Sequence, residues 1–173
     1  KVGVIFFSDC IEQFIPPKKG KSHILRIIQE VLIFKPKGKG TNIANVLKYF
    51  NSVIKKRSIC FILSDFITPP FDKPLKIASK KHDVIALRIY DKREESVPNV
   101  GLIPVQDAET EEITYLDTTS KKVRDLFAKD RNKKIMHLKK MLPENGVDLI
   151  NITTGIDYVR PLINFFKNRG NRR

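Results

Sequence analysis

The chain has no tryptophan, two cysteines, two methionines and three histidines, and only 19 acidic residues stand against 33 basic ones. Each shortage argues against a class of chemistry. Cys10 and Cys60 are too few to staple a disulfide scaffold, and both lie in or beside apolar stretches. They are expected to be buried, reduced thiols of a cytoplasmic protein. His23, His82 and His137 fall in no zinc-ligand spacing, and no Gly-x-Ser-x-Gly elbow is present, so hydrolase chemistry has little to draw on. The run Lys37-Gly38-Lys39-Gly40-Thr41 shares only its composition with a nucleotide-binding loop, because Lys39 is followed by Gly40 rather than by Ser or Thr. No stretch approaches the roughly 20 apolar residues of a membrane span. No internal repeat, low-complexity tract or linker divides the sequence, and 173 residues suit one domain.

What the chain has in excess is positive charge, +14 at neutral pH with a pI near 9.8. That charge suits nucleic acid, an anionic membrane surface or an acidic protein, without choosing among them. The basic residues are spread over Lys18-Lys19, Lys35 to Lys39, Lys55 to Arg57, Lys80-Lys81, the stretch from Lys121 to Lys140, and the tail from Lys167. Dispersed lysines of this kind read as solvated faces. The eleven phenylalanines mostly fall on apolar stripes, so they read as core rather than as a stacking platform for bases.

Hydrophobic periodicity organises the chain as strands alternating with helices. Lys1 to Ser8 and Cys10 to Pro17 predict an antiparallel ribbon, the second strand ending at Pro16-Pro17. Ile24, Leu25, Ile28, Val31 and Leu32 recur at helical spacing behind Ser22 as cap, and Ile43, Val46, Leu47, Phe50 and Ile54 share the face of a second helix. Ser58 to Phe66 reads as a central strand buried on both faces. A short helix at Lys73 to Lys81, a strand at Asp83 to Ile89, a hairpin around Gly101 to Leu116, helical segments broken near Lys129 to Lys134, a strand at Val147 to Ile152 and a final helix at Ile156 to Phe166 follow. The fold class is α/β: a Rossmann-like, mostly parallel sheet with helices on both faces, an antiparallel edge ribbon and a small hairpin insertion.

Asp65 is the first candidate for chemistry, since open α/β sheets place ligands beyond the carboxyl ends of their strands. A carboxylate capping the loop before Thr68-Pro69-Pro70 is an equal alternative. Thr41 sits where the second helix begins, and its spacing alone favours an N-cap. His82-Asp83 reads as a turn pair. Glu94-Glu95 and Glu109 with Glu111-Glu112 read as exposed loop charges rather than as an acid–base pair.

In order along the chain, VGVIFFSD, PPKKG, KGTNIANVLKYF, RSICFILSDF and HDVIALRIYDKREESVPNVGLIPVQDAET resemble the von Willebrand factor A-like proteins of the bacterial family called domain of unknown function fifty-eight. NITTGIDYVRPLINFF resembles that family's ending. The resemblance implies a metal-ion-dependent adhesion site holding Mg²⁺, in which Thr41 and Asp65 match the family's threonine and final aspartate. It further implies a non-enzymatic scaffold or protein-interaction module, often beside MoxR-type AAA+ ATPases. The Asp-x-Ser-x-Ser loop of such sites occurs nowhere in the 173 residues. Residues 1–173 are therefore expected to be a von Willebrand factor A-like domain lacking its first strand and first helix, with a sheet edge open to self-association.

Overall fold

The computed structural model describes residues 1–91, 98–106 and 113–170, and its chain divides into two compact units. The first comprises Lys1–Arg57 with Ile67–Ala78, the second Ser58–Phe66 with Ser79–Arg173. Among the described residues no helix is long and apolar enough to cross a membrane.

In the first unit β1 (Val2–Phe7) and β2 (Ile11–Lys18) pair antiparallel, as the β-branched and aromatic content of both runs predicts. The second strand runs through Pro16-Pro17 to Lys18 instead of ending there. The ladder is irregular between Val2 and Val4, and a proline without an N–H is tolerated where pairing is already interrupted. Helix α1 (Lys21–Ile33) begins at Gly20, with no side-chain cap, so Ser22 lies inside the first turn and is not the cap. Its apolar stripe forms at the expected spacing but buries nothing: Leu25, Ile28, Val31 and Leu32 are all exposed, Leu32 to 79%. Helix α2 (Ile43–Val53) does bury its stripe, with Ile43, Val46 and Leu47 inside, and Tyr49 meeting Phe14 of β2 edge to face at 5.8 Å. Helix α3 (Asp72–Lys81) adds Leu75 and Ala78 to the buried set.

The second unit holds a parallel sheet in the order β3 (Ile59–Ser64), β4 (Asp83–Tyr90), β7 (Asp148–Thr153). Between β4 and β7 the chain forms the antiparallel pair β5 (Leu102–Gln106) and β6 (Ile113–Asp117), then helix α4 (Lys121–Glu144). Helix α5 (Val159–Gly170) follows β7. Strand β4 is buried on both faces from Val84 to Arg88. On one face Ile85 and Leu87 join Ile150, with Leu162 and Phe165 of α5 packed over them. Arg169, near the carboxyl end of α5, binds Asp83 and lies 3.4 Å from Asp148, at the starts of β4 and β7. A cation there also complements the helix dipole.

Four further sequence expectations need correction. Ser58 to Phe66 supplies β3, yet β3 ends the three-stranded sheet and is buried on one face only: Ile59, Phe61 and Leu63 are 60%, 43% and 55% exposed. The doubly buried strand is β4, which alone among the described strands has a neighbour on each side. Helix α4 is continuous through Lys129 to Lys134, since Lys, Arg and Ala are good helix formers and Asp130 pairs with Lys134 at 2.9 Å. It stops where Gly146 takes the left-handed conformation (φ 68°), with the Val147 N–H bonded to the Leu142 carbonyl. Cys10 is exposed rather than buried, because it lies in the turn between β1 and β2. Phe61 and Phe166, which touch edge to face, are likewise exposed rather than core.

Leu142 is fully buried, so Leu142→Ala is expected to lower unfolding free energy by about 3 kcal/mol in a urea titration. Burial pushes the Cys60 thiol up to about 12, while Cys10 is exposed. Because the thiolate is the nucleophile, one thiol per native chain should react rapidly with an aromatic disulfide reagent at pH 8, and the second only on unfolding.

Candidate functional site

Asp65 sits where the sheet topology puts ligands, one residue beyond the carboxyl end of parallel strand β3. Its carboxylate is half-buried and accepts a 3.3 Å hydrogen bond from Ser64 Oγ, which in turn accepts one from the Phe66 N–H at 3.0 Å. This serine turn ends the strand sharply. Phe66 then adopts φ 62°, a left-handed conformation costly for a bulky side chain, and the only one among the described non-glycine residues. Strain of this kind persists only where the surroundings fix it, and here it directly follows the candidate carboxylate. In register with Ser64 on β4 is Arg88, buried and stacked 4.1 Å from the Tyr90 ring centroid. Sequence reasoning passed over Arg88, although a charge inside DVIALRIY was a usable signal: a strand so apolar buries whatever it contains.

Thr41 belongs to the first unit. It does not cap α2: the cap is Asn42, whose side chain accepts from the Asn45 N–H at 3.0 Å. The Thr41 carbonyl accepts from Thr68 Oγ1 at 3.0 Å, and the same Thr68 oxygen accepts from the Ile43 N–H at 3.3 Å. The Thr41 hydroxyl has no hydrogen-bond partner among the described residues, so its oxygen is not committed to the fold.

The loop that delivers Thr41 is anchored by a residue the sequence did not single out. Glu12 Oε1 on β2 accepts from the Lys37 and Gly38 N–H groups at 2.9 and 2.8 Å, and from Ser8 Oγ at 2.7 Å. Two consecutive N–H groups aimed at one anion form a nest, and here the anion is internal. The Gly38 N–H bond and then the Ser8 hydroxyl hold the Glu12 carboxyl below its ordinary value; desolvation pushes the other way, and the Lys37 N–H and charge add smaller downward pulls. A carboxyl depressed in the folded state stabilises above its unfolded value, and that contribution fades as pH falls through the folded one. Beyond Thr41, the Asn42 N–H donates to the Ser8 carbonyl at 2.8 Å, and Asn45 Nδ2 donates to the Asp9 carbonyl at 3.4 Å. The contact is so close that a Cβ on Gly38 would fall on Asp9 Oδ1 and Ser8 Oγ.

Thr41 and Asp65 thus lie in different units, and no group of three or more His, Cys, Asp or Glu able to hold a metal occurs among the described residues. Hydroxyl and carboxylate oxygens are the hard donors that Mg²⁺ takes, so the two fit the ion in kind but supply only part of its coordination. His82 is buried, and burial with the nearby Lys81 charge lowers its pKa, which favours the neutral ring. Glu94, Glu95, Glu109, Glu111 and Glu112 lie outside the described residues. An open hollow of about 600 Å³ along α5 is lined by Tyr158, Val159, Leu162, Ile163, Phe166 and Lys167, and carries no acid or histidine for catalysis.

The sequence profile of the family described as "Protein of unknown function DUF58" matches residues 1–136. The chain belongs to that family. Among relatives of this DUF58 protein, an uncharacterized protein of Mycobacterium avium is 27% identical over 135 residues, covering 78% of this chain and 79% of its own length. Uncharacterized proteins of Mycobacterium bovis and Mycobacterium tuberculosis are each 22% identical over 172 residues, covering 98% of this chain. The chain spans 54% of the length of those two proteins, about half. No solved structure matches it.

Gly38→Ala should lower stability by about 1–3 kcal/mol, the usual scale of overpacking, as read from the urea midpoint. Gly40→Ala is the control: a Cβ there meets only Asp9 Cβ at an ordinary 3.6 Å, so the midpoint should barely move.

Proposed function

We propose that this DUF58 chain is part of a von Willebrand factor A-like interaction module whose Thr41 and Asp65 contribute oxygen ligands to one Mg²⁺. The observation that carries the reading is Asp65: a half-buried carboxylate at the carboxyl end of a parallel strand, held by the Ser64 turn and followed by the left-handed Phe66. The uncommitted Thr41 hydroxyl, at the head of α2, supplies the second hard oxygen. Remaining positions would be filled by water and by an Asp-x-Ser-x-Ser segment outside these 173 residues.

Function then follows from an open metal position. A hard cation held by neutral hydroxyl, carboxylate and water can accept one more carboxylate, so an acidic side chain of a partner completes the sphere and the ion joins two proteins. The module is non-enzymatic in this reading, and its partner is a protein, with a MoxR-type AAA+ ATPase the one suggested by the family resemblance. A second reading, binding of a polyanion, is favoured by α4, where Lys121, Lys122 and Lys129 line an open hollow with Leu126 and a single acid, Asp125.

The test uses the full-length protein. Thermal unfolding followed with Mg²⁺ or Mn²⁺ against a chelator should show a metal-dependent rise, corresponding to about 2.7 kcal/mol at a hundredfold excess over the dissociation constant. Asp65→Ala should abolish it. No rise in the wild type, or an equal rise in Asp65→Ala, would count against the metal reading. A steep linear fall of log affinity for short DNA with log salt would then favour the polyanion.

A further inference from the structure

We infer that Glu12 is a positioning residue for the metal ligand Thr41, acting through the backbone of the Lys37–Gly40 loop; the inference rests on the metal reading above. Glu12 touches neither Thr41 nor Asp65 in any described contact. Its carboxylate fixes the start of the loop at Lys37 and Gly38, while Ser8 fixes its end through the Asn42 N–H. Ser8 links the two anchors, because its hydroxyl donates to Glu12 and its carbonyl accepts from Asn42. Thr68 holds the Thr41 carbonyl from another segment of the same unit. Thr41 is therefore pinned at the backbone on both sides with its hydroxyl left over, the arrangement expected of a ligand whose direction is set by the scaffold.

The loop has an evident reason to need this clamp. Lys35, Lys37 and Lys39 crowd like charges into five residues, and Gly38 and Gly40 give the backbone freedom that costs entropy to fix. An anion bonded to two loop N–H groups offsets both effects with bonds stronger than neutral ones. Without it, the loop samples conformers in which the Thr41 oxygen points elsewhere, and the ion loses a ligand while the core of the unit is unchanged.

The experiment measures two quantities in full-length wild type, Glu12→Gln and Glu12→Ala: Mg²⁺ affinity by calorimetry, and hydrogen exchange of the Lys37 and Gly38 amides without metal. Glu12→Ala is expected to lose protection at those two amides and to bind Mg²⁺ about tenfold more weakly, the scale on which outer-shell partners act. Glu12→Gln, which keeps the shape and an acceptor oxygen, should fall between, and it carries the test should Glu12→Ala fail to fold. Both effects must appear in protein that remains folded by its urea midpoint. Faster amide exchange with unchanged Mg²⁺ affinity would overturn the positioning role and leave the metal reading intact. Unchanged exchange in both variants would overturn the clamp itself. Wild-type protein that binds no Mg²⁺ would overturn the metal reading and this role together.

Discussion

The carboxylate of Glu12 is the constraint on which the chemistry of the first unit depends. The apolar contact between the β-ribbon and the lysine-rich loop is the stack of Phe6 on Phe34, where the loop begins; beyond it Lys35, Lys37 and Lys39 are exposed and the glycines offer no side chain. Beside that stack, the Glu12 carboxylate accepts from two loop N–H groups and the Ser8 carbonyl accepts from the Asn42 N–H, and the approach this allows is so close that a Cβ at position 38 would fall on Asp9 Oδ1 and Ser8 Oγ. Net contributions of such bonds are modest when exposed, but their geometry is specific. The head of α2, and with it Thr41, inherits its place from that contact.

The second unit is organised by different physics. Strand β4 is the centre because both its edges are paired and both its faces covered, and Arg169 ties α5 to the starts of β4 and β7 through two aspartates. Polar chemistry gathers at the opposite, carboxyl ends of the strands, where Ser64, Asp65 and the buried Arg88 lie. A parallel sheet separates these roles naturally: its amino ends are closed by helix termini, and its carboxyl ends open into loops.

Both units expose apolar surface that their secondary structure was built to bury. In α1 the stripe from Ile24 to Leu32 has the periodicity of a core helix and faces water, and the Ile59–Phe61–Leu63 face of β3 does the same. Contiguous apolar residues left in water in this way are the usual mark of an interaction surface.

Much of the architecture could be read from the residues alone. The ribbon, the parallel strands and helices α1, α2, α3 and α5 follow from hydrophobic period, as do the two ends of α4 though not its continuity, and Asp65 stood out because a strand ends just before it. Local pattern determines these features, since each depends on neighbours within a few residues. Three things did not follow, and all depend on contacts distant in sequence. Which strand is central was settled by pairing, so β4 rather than β3 is buried on both faces. Which apolar stripe is covered was settled by packing, so α2 is core and α1 is not. And Glu12, an ordinary acid on an edge strand, gained its role only when folding brought Lys37 and Gly38, 25 and 26 residues away, within hydrogen-bond reach. Sequence period determines which elements form; only the tertiary structure decides which of their surfaces and charges meet.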